Sequence, residues 1–545
     1  MPIPEDAYAV LEDIVGPDNI SNEPIILDSY AWMWENELLT QDRSGFAARP
    51  GAVVLPGSTE EVQAIVKACN RYHIQFKPFS TGWVTLALAS GDNVISLDLR
   101  RMDRILEIDT KNMFVVVEPY AIAAQVQAEV MKLGLNIHLE GAGANCSPLA
   151  SATSLTGSGP DSLYQGRSNE VLLAVEWVMP NGDILRTGSL GSGSGWSCGE
   201  GPGPSLRGIF RGKTGASGCL GVFTKCALKL SPWPGPPEME INGTIPAYNS
   251  PVPDNFRVYT LAFPSWENYA DAYYRIYDAE IGYICHRQFS MLGEDLGPAF
   301  WKLYLDPTKS LDDLEEYTQK PEIKSLTEEM RNYSFQIILT GMIPGEIEYQ
   351  DSVLDKILAE LGGHKVKAMS EPEMEKFAFL YFVKLPSKHL NNVLGGGRQG
   401  TFAQRWSPDL VTDYGPLAIE LMKTHQDRDG LVRSGGDSIM GPMSDTGGGG
   451  ICAFEQFCHY ARSNPESVEA ARNFCEDARK LARRLEIGRG NEGDGTENMT
   501  KGQVQARLAA SPQPHRFYWQ WLIKKMLDPN NAADSKGYPT LEKLP

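Results

Sequence analysis

Glu455, Phe457 and His459 alternate within a run of strand-forming residues. A β-strand there sets the carboxylate and the imidazole on one face and Gln456, Cys458 and Tyr460 on the other. A carboxylate or imidazole within reach of a substrate hydroxyl is a general base. Parity alone leaves open which set lines a pocket, and a lone histidine on a half-buried strand, such as His459, is more often a structural one. Cys452, Cys458 and His459 raise the question of a metal, but Cys458 and His459 point to opposite faces of a regular strand, so no metal is expected. Arg398 and Arg405 suit paired hydrogen bonds to a substrate carboxylate, or ordinary pairing with surface acids.

A second place of interest is the loop Ser80-Thr81-Gly82-Trp83, after Ile74–Phe79. Small residues let successive backbone N–H groups approach an anion closely, although such a turn is also a plain connection between strands. Gly212-Lys213-Thr214 has the ending of a nucleoside-triphosphate loop, but the position five before Gly212 is Arg207 where that motif needs glycine, and no strand-to-helix setting surrounds it. The neighbouring Gly215–Thr224 reads instead as a turn and strand.

The elements that must position these groups follow an α+β pattern with short connections. Thr59-Glu60-Glu61 precedes Val62, Ile65, Val66 and Cys69, the stripe of a helix packed on a core. Strands are expected at Val53–Leu55, Ile74–Phe79, Val94–Leu99 and Met113–Pro119, with a helix through Ile122, Val126, Val130 and Leu133. Val171–Pro180, Asn181-Gly182 and Asp183–Thr187 predict a hairpin with a type I′ turn. Ser189–Pro204, rich in Gly and Ser, predicts a long loop. Consecutive prolines in Pro232-Trp233-Pro234-Gly235-Pro236-Pro237 mark the strongest boundary. The expected division is residues 1–237 as one domain, 238–487 as a second α/β region ending in a strand at 451–461 and a helix at 465–485, and 488–545 as a segment returning to complete the first.

The chain has 545 residues, too many for one ordinary core, and 42% hydrophobic against 22% charged residues describes a globular protein. Fifty basic against 69 acidic residues leave a net charge of −19, which repels nucleic-acid phosphate and anionic lipid. A local basic pocket for an anionic substrate stays compatible with that charge. Nine scattered cysteines fit reduced thiols, and the start lacks a basic segment followed by an apolar one. With no run of about 18 apolar residues, membrane insertion is not expected and a cytoplasmic location is.

Pro50–Pro56, Ser80–Gly82, Ser151–Gly157, the hairpin end Arg186-Thr187-Gly188 and Gly218–Leu230 occur in an order that resembles the vanillyl-alcohol oxidase and para-cresol methylhydroxylase superfamily. The likeness covers most of residues 45–232 and continues more faintly to Leu527-Asp528-Pro529-Asn530. Leu97–Asp109 is similar to the D-lactate and D-2-hydroxyacid dehydrogenase branch, whereas Gly203–Phe210 is more similar to the phenol-oxidising branch. The resemblance implies a two-domain FAD-binding fold of the para-cresol methylhydroxylase type with an α/β cap over the flavin ring. It implies cofactor contacts from Pro56, Ser80, Thr81, Gly82, Trp83, Ser154, Thr156, Gly157, Gly215, Gly218, Gly221 and Val222.

The same resemblance implies oxidation of a small alcohol, hydroxy acid or para-substituted phenol by hydride transfer to flavin N5. The alternative is a flavoprotein subunit passing electrons to an iron–sulfur, cytochrome or electron-transfer flavoprotein partner; a homo-oligomer is expected in either case. In relatives the strand bearing Glu455 leads on to an active-site turn, here Gly490-Asn491-Glu492-Gly493-Asp494-Gly495, which departs from both branches. Glu492 stands as a candidate base with Glu455 and His459, and Arg405 as a substrate anchor. Thr81-Gly82-Trp83 lacks the histidine that often binds flavin covalently, and Ala403 occupies the histidine position of a second attachment site, so dissociable FAD is expected. Tyrosine attachment, known in the para-cresol branch, is less easily set aside.

Overall fold

The computed structural model describes residues 3–32, 36–39, 46–83, 87–141, 143–155, 157–201, 205–210, 216–244, 247–289, 297–331, 333–384, 397–405, 407–426, 428, 430–440, 452–485 and 514–534. Near the amino terminus, the strands Ala52–Val54, Gln75–Phe79 and Val94–Asp98 run parallel, and Ile20–Ser21 joins the edge antiparallel. Parallel strands need crossover connections, and the helix Thr59–Tyr72 carries the chain from Ala52–Val54 to Gln75–Phe79, which flank Val94–Asp98. Ser58 caps it by accepting from the Glu61 N–H, and His73 ends it in the left-handed region at φ 54°. Its buried stripe of Val62, Ile65, Val66 and Cys69 is the one expected from the sequence. Because the three strands share a direction, their carboxyl ends open at one edge, where ligands of open α/β sheets commonly bind.

A second, antiparallel sheet runs in the order Ile105–Asp109, Phe114–Val117, Val222–Lys229, Leu172–Val178, Ile184–Arg186. Its hairpin closes differently from the two-residue type I′ turn. The Gly182 N–H bonds to the Met179 carbonyl and the Met179 N–H to the Asp183 carbonyl, and Gly182, not Asn181, has positive φ (+87°). Pro180, with its fixed φ, is preset for the first central position of a type I turn, so only the following glycine needs the left-handed region.

From Phe256 onward a seven-stranded antiparallel sheet forms, in the order His364–Lys365, Phe256–Ala262, Ser334–Thr340, Ile284–Phe289, Val432–Met440, Cys452–Tyr460, Gly397–Arg405. The helices Trp266–Asp278, Pro344–Leu361, Leu410–Gln426 and Pro465–Arg484 contribute to clusters packed on one face of it. Tyr283 and Ile284 of the cap share a core with Val117, Trp177 and Leu228 of the second sheet, so the two regions meet through a common apolar interior. After the helix Pro514–Leu527, the tail returns to the first sheet, where Ala533 forms a parallel bridge with Phe76.

Candidate functional site

At the carboxyl edge of the parallel strands, Pro56 is buried and Ser80, Thr81, Gly82 and Trp83 are half-buried. The Ser80 hydroxyl donates to the Pro119 carbonyl at 2.5 Å, and the Ser147 N–H donates to Thr81 Oγ1 at 3.2 Å. Gly82 adopts φ +68°, and a Cβ there would lie 2.7 Å from the Phe79 ring, so the turn requires glycine on both counts. Among the described residues, no acceptor takes the backbone N–H of Ser80, Thr81 or Gly82. Open successive donors at a half-buried turn form a nest that fits phosphate oxygens.

Two further segments converge on that loop. The Ala216 and Ser217 N–H groups donate to the carbonyls of Thr153 and Ser154, at 2.8 and 3.2 Å. A Cβ on Gly218 (φ +67°) would approach Pro78, just before the loop, to 3.2 Å. Thus the loop at 80–83, the turn at 216–218 and the π-helical turn Ser151–Leu155 form one cradle. Gly221 (φ +99°) enters the following strand, and Val222 is buried in the core of the first sheet. Thr156 and Gly215 lie outside the described residues.

Two lysines that sequence reasoning missed fasten the 216–221 turn from below. Lys77 and Lys524 are both fully buried. Lys77 Nζ donates to the Ser217 carbonyl at 3.1 Å. Lys524 Nζ donates to the Cys219 carbonyl (2.8 Å), the Ala533 carbonyl (2.7 Å) and Asp528 Oδ2 (2.5 Å), using all three of its donors. Asp528 in turn accepts from the N–H groups of Ala532 and Ala533. The tail is therefore part of the cradle's foundation.

Beneath the π-helical turn lies a second polar group absent from the sequence-stated candidates. Ser151 Oγ donates to Glu140 Oε2 at 2.6 Å, and a Cβ on Gly157 would sit 2.7 Å from Ser151 Oγ and 2.8 Å from Glu140 Oε2. His138 Nδ1 lies 2.9 Å from Asp161 Oδ1, an ion pair rather than an aligned hydrogen bond, with both side chains buried. Burial alone would lower the His138 pKa, but the Asp161 carboxylate outweighs it and holds the imidazole up at about 9. Burial pushes the Glu140 carboxyl up, against the opposing pull of His138. Asp161 also accepts from the Leu139 N–H and from Gln165, which locks 138–141 against 157–161. The Cys285 N–H of the cap donates to the Pro160 carbonyl at 3.1 Å, so this group borders the cap.

On the cap strand Cys452–Tyr460, parity becomes a direction. Cys452 and Phe454 join the core formed with the helix Leu410–Gln426, Gln456 Nε2 donates to the Ala418 carbonyl of that helix at 2.8 Å, and Cys458 and Tyr460 pack with Val468 and Phe474 of the last cap helix. Glu455, Phe457 and His459 therefore occupy the opposite face and are half-buried. Register pairs Glu455 with Phe402 and Ser438, and His459 with Arg398 and Arg433. Arg405 pairs in register with Cys452. Glu492 lies outside the described residues, and among the described residues no cluster of His, Cys, Asp and Glu suits a metal.

Comparison with known proteins agrees with this geometry. Residues 50–188 match the FAD binding domain family. Relatives include the D-lactate dehydrogenase of Anaerostipes hadrus, 29% identical over 205 residues (36% of this chain, 40% of the relative). The 4-cresol dehydrogenase [hydroxylating] flavoprotein subunit of Pseudomonas putida is 29% identical over 230 residues, 41% of each chain. The crystal structure of p-cresol methylhydroxylase with substrate bound superposes at a TM-score of 0.69 with 17% identity, covering 98% of this chain and 99% of that one. The curated relatives are matched over less than half of their own lengths. Fold and matched domain together define a two-domain FAD-binding flavoprotein. The chain has the fold of p-cresol methylhydroxylase, its matched relatives include D-2-hydroxyacid dehydrogenases, and FAD is the cofactor its amino-terminal domain binds.

Proposed function

We propose that the protein is an FAD-dependent oxidoreductase that oxidises a small alcohol, hydroxy acid or para-substituted phenol. The observation that carries this reading is the cap-strand face: Glu455 and His459 lie on one face of the strand, opposite the face packed on the helices 410–426 and 465–484, and are half-buried. Bound FAD supplies a hydride acceptor at N5. The open N–H groups of Ser80, Thr81 and Gly82 hold its pyrophosphate, with Ser154 and Gly218 on neighbouring walls of the cradle. Glu455 takes the proton from the substrate hydroxyl, and His459 orients that hydroxyl. Arg398 and Arg433 pair in register with His459 on the two neighbouring strands. Neither of the two positions at Thr81–Trp83 and Ala403 offers a histidine or cysteine, which supports a flavin not bonded at either of them.

The test is anaerobic mixing of the holoprotein with a panel of D-2-hydroxy acids and para-alkylphenols, followed by flavin absorbance. Bleaching by one class supports the reading and identifies the branch. Full FAD occupancy with no bleaching by any member would defeat it. That outcome favours the second reading, an electron-transfer subunit, which the likeness to a 4-cresol dehydrogenase flavoprotein subunit motivates.

A further inference from the structure

Residues 30–32 and 36–39, close together in the chain, are bonded to the two halves of the site. At one end, Tyr30 is buried, its hydroxyl donates to Asp98 Oδ2, and it receives a bond from Arg100 at 2.8 Å. Its ring meets Phe79 edge-on at 5.2 Å, directly before the Ser80–Trp83 loop. At the other end, Glu37 is buried against the cap. Its Oε1 accepts from the Tyr460 hydroxyl at 2.6 Å and lies 2.9 Å from Arg462 Nε, while its carbonyl accepts from Arg472 Nη2. Leu38 packs into the cluster of Cys458, Tyr460 and Val468. Arg462 also stands over the Trp32 ring at 5.8 Å.

We infer that Glu37 is a positioning residue for the flavin reaction, one that ties the cap strand bearing Glu455 and His459 to the cofactor loop. This rests on the flavin reading above. The seven Cα–Cα steps from Tyr30 to Glu37 span at most about 25 Å when fully extended, so the chain limits how far the two anchors can separate. A buried carboxylate is tolerated only when paired, and here both partners lie at the end of the strand that carries the chemistry. Tyr460 is held further by its ring, which lies so close to Gly397 that a Cβ there would approach within 2.0 Å. With Tyr460 fixed on the helix-facing side, His459, its neighbour, is fixed on the other.

The experiment compares holoproteins carrying Glu37→Ala, Glu37→Gln and Tyr460→Phe with wild type, and uses Arg49→Ala as the control. The control removes the exposed Arg49–Asp28 pair near the same segment without touching the cap. Two readouts are taken: the rate of anaerobic flavin reduction by the substrate found in the panel, and the visible circular dichroism of the bound flavin. Glu37→Ala is expected to slow reduction about ten- to a hundredfold and to alter the dichroism. Glu37→Gln keeps an acceptor for Tyr460 and should recover most of the rate. Tyr460→Phe loses one hydroxyl, keeps its ring, and carries the test if Glu37→Ala does not fold. Wild-type rates and an unchanged dichroic spectrum in both Glu37→Ala and Tyr460→Phe overturn the inference. If no substrate bleaches the wild-type flavin, the proposed function fails, and the dichroism still decides the role of Glu37.

Discussion

The cradle and the cap face manage their polar groups in opposite ways. In the cradle, charged side chains are buried and paired: Lys524 spends three donors, Asp528 accepts from it and from two backbone amides, and Asp161 accepts from Gln165 and an amide and forms an ion pair with His138. On the cap strand it is the helix side that is sealed, while Glu455, Phe457 and His459 stay half-buried. Buried satisfied charges hold a backbone in one arrangement, which a dinucleotide-binding nest needs. A base must instead present its proton-accepting atom to something that arrives and leaves. On the proposed function, one half is built to stay still and the other to meet a substrate.

That contrast breaks first at the cap. Glu455→Gln removes the proposed proton acceptor without changing the strand's shape, so flavin reduction should slow by about two to four powers of ten with FAD occupancy unchanged. Stopped-flow absorbance measures it, and reduction within a few-fold of wild type would remove Glu455 from the mechanism. The cradle should respond in the reverse sense. Lys524→Met leaves Asp528 buried without its counter-charge, at a cost of about 3–5 kcal/mol, and frees the Cys219 carbonyl that anchors the turn at 216–221. Urea unfolding should show the loss and FAD titration should weaken with it. A stable variant that binds FAD normally would mean that the tail is not part of the foundation.

The sequence shows these two halves unequally. Local patterns were legible because one element contains the whole signal: the stripe Val62, Ile65, Val66 and Cys69 needs only its own helix, and the alternation of Glu455 with His459 needs only its own strand. Direction was not legible, since alternation yields two faces and only packing of Gln456 on Ala418 and of Cys458 on Val468 tells them apart. The turn at Asn181-Gly182 marked the right place with the wrong geometry, because Pro180 preset a type I turn. Nothing local in Phe76-Lys77-Pro78 marks a buried ammonium, whose acceptor lies 140 residues away. Lys524 and Asp528 have the spacing of an ordinary surface pair on a helix, and what distinguishes them is a carbonyl 305 residues distant. Glu37 meets Tyr460 across 423 residues. Long-range polar contacts leave little trace in a single sequence, whereas apolar periodicity is written in every turn.

The smallest effect expected is also the one that separates a buried charge from a buried neutral group within the cradle itself. His138 has a folded-state pKa of about 9, above the ordinary imidazole value of 6.5, because the Asp161 carboxylate overrides the cost of burial. The folded state thus binds the proton more tightly than the unfolded state does. The resulting stabilisation is fully present below about pH 6.5, and declines as pH rises through about 9, since only the unfolded state has already released its proton in that window. Denaturant unfolding of the holoprotein at several pH values from 6 to 10 should therefore show stability falling across that interval. His138→Gln removes the titrating group, so its curve should be flatter there, though lower throughout because Asp161 loses its counter-ion. Parallel curves for the variant and the wild type would mean that the imidazole is neutral in the fold. The ion pair would then be no part of what holds the segments at 138–141 and 157–161 together beneath the flavin turn.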